Sequence, residues 1–461
     1  MANTEYTFKD IDNHFKELLL MTDPHAIRIV AASVIANQVN STPVWLQLVS
    51  ASSGGKSEII TAFAGLIHAE TSKPLVWPIS DMTPNTFASG LNSKGGEASL
   101  LKQMPKEGGI LLFKDYTTIL NKPKDAKQAI AAQFREVFDG QYSKKTGNNV
   151  KMDWAGRIGC LSACTEAIYI DTDSDIMGQR FLYFNMVQPD AVLATKKAQA
   201  NAIDPDYPRR RAMLDIMIQE WMHELIDWKD EHAEKLDHEF FALDPVLNDR
   251  ITDICHFCSI ARSGISKDFK DRIVFVPSVE APMRMSKQLI AMYKAMRVMD
   301  RFDGIKQDGI SEEDQKALFR CAMSSIPKQR WLAITTIGQY AEGMNATGLG
   351  MELGYPSSTA LDWLNEITAL GIATKYTYNH KHVFKVKARF VPHLEQFFDI
   401  IQKDARYAPD EGDGEYDDVP MTEFTEEDLD EDLEKEAVQK TQSEQGFMGD
   451  ILGTPVDTNK L

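Results

Sequence analysis

The 461-residue chain contains no apolar run approaching the ~18 residues a membrane-spanning helix needs, so no membrane partner is expected. It shows no signal-peptide pattern and has only five cysteines, which excludes a disulfide-stapled scaffold and leads us to expect a reducing, cytoplasmic setting. Cys255 and Cys258 flank His256 at a metal-like spacing, but no second pair lies nearby. With apolar neighbours at helical spacing they read as core, as do Cys160 and Cys164. An excess of positive charge is also missing. The formal net charge is −18, yet residues 405–461 hold 18 acidic residues against four basic, leaving 50 against 46 in residues 1–404. A nearly balanced body can carry local basic surfaces, so a nucleic-acid partner is not excluded.

The apolar share of 43% supports a folded body, and the length predicts two or three domains with a tail. The chemistry gathers first in Leu46–Thr61, LQLVSASSGGKSEIIT. An apolar run breaks into small residues, then Lys56 and Ser57 open a helical pattern. Strand, small-residue loop, Lys-Ser and helix form the context of a phosphate-binding P-loop, with backbone N–H groups turned toward phosphate oxygens. The spacing fits G-x-x-x-x-G-K-[ST] except that Ser50 stands at the first glycine position. Ser50, Ser53, Gly54, Gly55, Lys56 and Ser57 are therefore expected to bind ATP, with Lys56 on the β- and γ-phosphates and Ser57 on Mg²⁺.

Residues 1–40 read as two helices beside this region, and residues 41–190 as alternating strands and helices, the pattern of a parallel α/β sheet. The run Gly109–Phe113 ends in Lys114-Asp115-Tyr116, where a Walker B strand belongs. Such strands ordinarily end in Asp-Glu, and here the glutamate is missing. Asp115 either serves the metal or is itself the base, with Glu136 and Asp139 as substitute acids. Residues 125–138 form an amphipathic helix, followed by a hairpin pattern with Lys144 and Lys145 near its tip. The strand RIGCLSA then brings Ser162 and Thr165, polar side chains of the type that senses a γ-phosphate or lytic water. Gly178-Gln179-Arg180 opens the strand FLYFNMV.

In this order the parts resemble AAA+ ATPases, more narrowly those with a hairpin before the polar sensor strand, such as viral superfamily-three and MCM-type helicases. The segments KDYTTIL, FREVFDG and GQRFL also look like ATPases of phages and mobile elements. The resemblance covers about residues 40–190. It implies a hexameric ring in which Arg180 acts as a trans-acting arginine finger, and Lys144 and Lys145 grip DNA in a central pore. If a phage encodes the chain, the compartment is the bacterial host's cytoplasm.

Residues 191–310 are predominantly helical and fit a lid on that core; Arg209-Arg210-Arg211 offers a lid arginine or a charged helix start. Residues 311–398 read as helix, helix, short helix, turn, helix and hairpin, a layout that resembles a winged helix. Its wing is basic and aromatic, with Lys375, Lys381 and Lys385 as candidate DNA contacts, whereas the helix from Ser357 carries Asp362 and Glu366 and no cation. Winged helices also dock proteins. Residues 405–461 have the composition of a disordered acidic tail, with apolar islands at Val419–Phe424 and Phe447–Leu452 that suit a protein partner.

The expected fold class is thus α/β: an AAA+ type P-loop NTPase core (41–190) behind an N-terminal helical segment (1–40), with a helical lid (191–310), a winged-helix domain (311–398) and a tail. The expected function is an ATP- and Mg²⁺-dependent, DNA-directed motor or replication initiator. Two rivals stand beside it: a nucleotide-gated loader or switch with slow hydrolysis, and a non-enzymatic DNA-binding adaptor with a degenerate loop.

Overall fold

The computed structural model describes residues 6–394 apart from 40–41, 53, 68–71, 88–98, 146–150, 170–179, 188–189, 234–241, 271 and 379–380. The acidic tail lies outside the described residues.

Two helices, α1 (Phe8–Leu18) and α2 (Ala26–Ala36), precede the sheet. Thr7 caps α1 in a reciprocal box with Asp10, satisfying end N–H groups that have no helical partner. Every residue of α2 except Arg28 is buried, so this helix is interior on nearly all sides.

The sheet holds β1 (Trp45–Val49), β2 (Val76–Ile79), β3 (Glu107–Phe113), β6 (Arg157–Cys164) and β7 (Leu182–Asn185) in the order β2-β3-β6-β1-β7. Every pairing is parallel. Alternation along β1 feeds two cores: Leu46 and Leu48 join one, Trp45 and Val49 the other. A parallel sheet buried on both faces explains why these strands are apolar throughout. A short helical turn, α4 (Leu100–Gln103), precedes β3; between β3 and β6 come a second short turn, α5 (Thr117–Leu120), then α6 (Lys124–Phe138) and the antiparallel hairpin β4 (Gln141–Lys145)–β5 (Lys151–Ala155). Tyr142, Met152 and Trp154 from that hairpin pack into the same core as Phe134 of α6.

The helix α3 (Lys56–Ala62) follows β1 directly. After β7 come α7 (Ala191–Ile203), α8 (Tyr207–Glu231), α9 (Pro245–Arg262), a small hairpin β8 (Ser266–Lys267)–β9 (Ile273–Phe275), and α10 (Met283–Phe302). The last described elements are α11 (Glu312–Met323), α12 (Lys328–Gly338), α13 (Ala346–Leu353), α14 (Ser357–Ala369) and the hairpin β10 (Ala373–Tyr378)–β11 (Lys381–Val386).

Two of these later helices pack against the strand-bearing body. α10 packs on α2, and its buried Gln288 accepts from the Trp45 backbone N–H of β1 at 3.0 Å. α11 covers the edge strand β7, where Arg320 donates to Asp23 (2.7 Å) and to the Asn185 carbonyl (2.8 Å), and Ser324 Oγ accepts from Asn185 N–H (3.0 Å). These side chains occupy backbone groups that an open sheet edge would expose. One apolar core therefore runs from Phe8 to Leu394. Among the described residues no helix is long and apolar enough to cross a membrane.

Candidate functional site

The loop after β1 begins at Ser50, whose N–H donates to the Cys164 carbonyl of neighbouring β6 at 3.3 Å. Gly55 caps α3 with φ +79°, a conformation that a side chain strains to adopt, so glycine is required at this turn. Lys56 is 7% exposed and turns back into the loop. Its Nζ donates to Ser50 Oγ (2.9 Å), the Ser50 carbonyl (2.9 Å) and the Ala51 carbonyl (2.6 Å). The serine at the variant first position thus supplies two of these three oxygens, one of them from its side chain. Burial pushes the Lys56 ammonium below its ordinary range, with Cys164 and Asp115 opposing. Ser53 lies outside the described residues.

Ser57 Oγ donates to the Lys114 carbonyl at 3.2 Å, so the loop and the end of β3 meet beside Asp115. Asp115 is exposed, and its Oδ1 accepts from Thr117 N–H at 2.9 Å in the turn that leads into α5. Tyr116, in the place of a second acid, is buried. Among the described residues no cluster of three or more His, Cys, Asp or Glu side chains forms a metal cage. The Ser57 hydroxyl and Asp115 carboxylate are hard oxygen donors, and such a pair fits Mg²⁺ only with phosphate and water completing its shell.

The two sensor candidates separate. Ser162 is fully buried within β6, in register with Gln47 and Phe113, and its hydroxyl has no hydrogen-bond partner among the described residues. Thr165 sits past the strand end and is partly exposed at the level of the loop. Between them, Cys164 lies near Lys56 and Asp115; burial pushes its thiol up to about 11. The apolar spacing of β6 gave no reason to place that cysteine in the site.

Arg180 lies at the far end of the sheet. It precedes β7, which runs parallel to β1, whereas Lys56 follows β1. The register puts roughly 20 Å between the two levels, at ~3.3 Å per residue over six residues. Arg180 is 7% exposed; its Nη2 donates to Asp139 Oδ2 at 2.9 Å, and its guanidinium lies 5.7 Å from the Phe138 ring centroid. Asp139 belongs to that end of the sheet and not to the loop, while Glu136 is exposed on α6. Among the lid arginines, Arg210 pairs with Asp204, and Arg211 with Asp215 and Glu58.

Lys144 donates to Asn85 Oδ1 at 2.7 Å, and Lys145 faces Lys151 across the hairpin, whose tip, 146–150, lies outside the described residues. On the β10–β11 hairpin Lys375, Lys381 and Lys385 are exposed, and Lys375 Nζ sits 5.6 Å from the Phe384 ring centroid. Tyr378 beside them is also exposed. On α14, Asp362 faces solvent, but Glu366 is buried against Arg330 (2.7 Å) and Lys267 (2.8 Å).

A cavity of about 530 Å³ opens beside Gly54–Glu58. Its other walls come from Leu18–Met21 at the end of α1, from Ala194, Lys197, Ala198, Asn201 and Ala202 on α7, and from Tyr207. Asn201 is fixed by donating to the Leu18 carbonyl at 2.7 Å. Reading the N-terminal helices as mere packing missed this wall. The alanines four residues apart on α7 are the one signal that a small-residue face approaches something.

No protein-family model matches the chain, and no curated protein sequence matches it. Among solved structures, the chain is similar to one described as "SCCmec type IV Cch - active helicase", at 11% identity over 86% of this chain and 73% of that one, with a TM-score of 0.33. That likeness is too slight to carry an argument about this chain. What stands is a mixed α/β body with a central parallel sheet, consistent with an α/β NTPase-like core.

Proposed function

We propose that the chain is an ATP-binding and ATP-hydrolysing protein of AAA+ type that acts on DNA. One observation carries the reading. The Lys56 loop follows β1, a strand flanked on both sides in an order β2-β3-β6-β1-β7, and opens onto a cavity of about 530 Å³. A lysine held, among the described residues, by Ser50 and Ala51 oxygens can exchange those partners for phosphate oxygens. The small, apolar faces of α1 and α7 suit a planar base, with Asn201 and Lys197 for the polar edge and sugar-phosphate. Ser57 and Asp115 would share Mg²⁺, and the partly exposed Thr165 would orient water or phosphate better than the buried Ser162. Since Arg180 is beyond reach of its own loop, a role in hydrolysis requires a second chain. Lys144 and Lys145, with Lys375, Lys381 and Lys385, are the DNA contacts of this reading. The 311–398 segment would act as a winged helix whose wing, and not the acidic α14, touches phosphates.

A second reading has its own support: Asp115 caps Thr117, and buried Tyr116 replaces the usual glutamate. On that reading ATP binding gates assembly or loading and hydrolysis is slow. Steady-state turnover with and without single-stranded DNA separates the two. DNA-stimulated turnover abolished by Lys56→Ala supports the motor, and tight ATP binding with negligible turnover supports the switch. Absence of ATP binding contradicts both.

A further inference from the structure

Ser50 stands where the phosphate-loop pattern has glycine, yet nothing in its backbone calls for serine or for glycine. Ser72 is the one non-glycine residue with positive φ among those described, so the Ser50 conformation suits any L-residue. Its N–H is fixed on the Cys164 carbonyl at 3.3 Å whatever the side chain. What serine adds is a hydroxyl. Ser50 Oγ donates to the Ala51 carbonyl at 3.1 Å, which leaves its lone pairs for Lys56, and Lys56 Nζ donates to it at 2.9 Å. With the Ser50 carbonyl at 2.9 Å and the Ala51 carbonyl at 2.6 Å, the three N–H bonds of an ammonium are all made inside the loop. Ser50 is 2% exposed, so this contact is made away from bulk water, where a charge-assisted hydrogen bond is strongest.

A glycine at position 50 would keep both carbonyls and delete only the hydroxyl, leaving the ammonium one donor to spare for an incoming phosphate oxygen. With serine there, phosphate has to displace a complete set. We propose that Ser50 is a positioning residue that acts through Lys56: its hydroxyl holds the ammonium on the loop and sets the affinity for a nucleoside triphosphate below what the glycine pattern would give. This role rests on the nucleotide reading of the cavity. It adds a physical reason for the departure from the motif, namely a weakened hold on the β- and γ-phosphates. One hydrogen bond to a charged group, lost on nucleotide entry, corresponds to about tenfold in affinity.

The test is calorimetric titration of ATP with Mg²⁺ into the full chain as wild type, Ser50→Ala, Ser50→Gly and Ser50→Thr. Ser50→Ala and Ser50→Gly are each expected to bind about tenfold more tightly than wild type. Ser50→Thr, which keeps the hydroxyl, is expected to stay within about twofold of wild type. Removing a side chain that only supported the loop would weaken binding, so the direction of the change separates the two roles. Wild-type binding with no gain in either hydroxyl-free variant overturns the role of Ser50 and leaves the nucleotide reading standing. A Ser50→Thr protein that binds as tightly as Ser50→Ala also overturns it, because the hydroxyl would then not be the cause. Should Ser50→Thr fail to fold, the two hydroxyl-free variants against wild type still decide. Absence of binding in wild type and variants alike contradicts the nucleotide reading and the role of Ser50 with it.

Discussion

Arg180 donates to Asp139 at 2.9 Å at the base of the β4–β5 hairpin, about 20 Å in strand levels from the Lys56 loop of its own chain. Asp139 caps the C-terminus of α6 and is followed within two residues by β4, so one carboxylate joins the arginine to the hairpin that bears Lys144 and Lys145. Arg180→Ala is expected to leave ATP binding intact and lower turnover by ~10³ or more, the scale of a trans-acting arginine. Mixing Arg180→Ala with Asp115→Ala subunits should restore part of the activity at interfaces that retain both residues. Oligomers that form without any recovery contradict the trans role.

Asp139→Asn removes the ionic partner of a guanidinium that is nearly buried, but Asp139 itself is half exposed, which limits the loss. The expected cost is about 1–2 kcal/mol, seen as a fall of a few degrees in Tm. No change in Tm would show that solvent already replaces the pair.

Asp23 and Arg320 form the buried bridge that ties α11 to the edge strand. Burial alone would raise the Asp23 carboxyl, but Arg320 and the N–H groups of Val187 and His25 hold it below its ordinary 3.8. A depressed carboxylate contributes stability that is present above the unfolded value and lost as pH falls through the folded one. The contribution should therefore be constant near neutrality and vanish at acid pH below 3.8. Asp23→Asn should cost ~3–5 kcal/mol at pH 7 by leaving Arg320 uncompensated, and the deficit relative to wild type should shrink in acid. A deficit independent of pH contradicts this account.

Gln47 is fully buried on β1, and among the described residues neither its amide oxygen nor its nitrogen has a hydrogen-bond partner; Ser162 beside it is in the same condition. Replacing an unsatisfied buried amide by an apolar side chain of similar shape removes a desolvation cost. Gln47→Met is expected to stabilise the fold by about 1–2 kcal/mol in denaturant titration. Destabilisation instead would reveal water bridging Gln47 and Ser162.

Much of the sheet was legible from local pattern. Apolar runs at Trp45–Val49, Gly109–Phe113 and Arg157–Ala163 announce buried parallel strands, and Gly54-Gly55-Lys56-Ser57 announces the turn that follows the first. The cavity walls were less visible, because Leu18, Leu19 and Met21 look like any helix end and the alanines of α7 carry no chemical signature. Pairings between distant residues, such as Arg320 with Asp23 and Arg180 with Asp139, have no local trace. For the same reason nothing in the local pattern of the helix 312–323 shows that it packs on the edge strand β7. Which of Ser162 and Thr165 reaches the loop depends on strand register, which polarity alone does not disclose.

On the proposed function, the loop around Lys56 binds a nucleoside triphosphate in the cavity formed with α1 and α7. Calorimetric titration of ATP with Mg²⁺ into wild type and Lys56→Ala tests it most directly. The account predicts saturable one-site binding by wild type, a loss of at least tenfold in affinity for Lys56→Ala, and weakening of wild-type binding at alkaline pH below the ordinary lysine value of 10.5. No heat of binding in wild type, or equal affinity in both proteins, would contradict it.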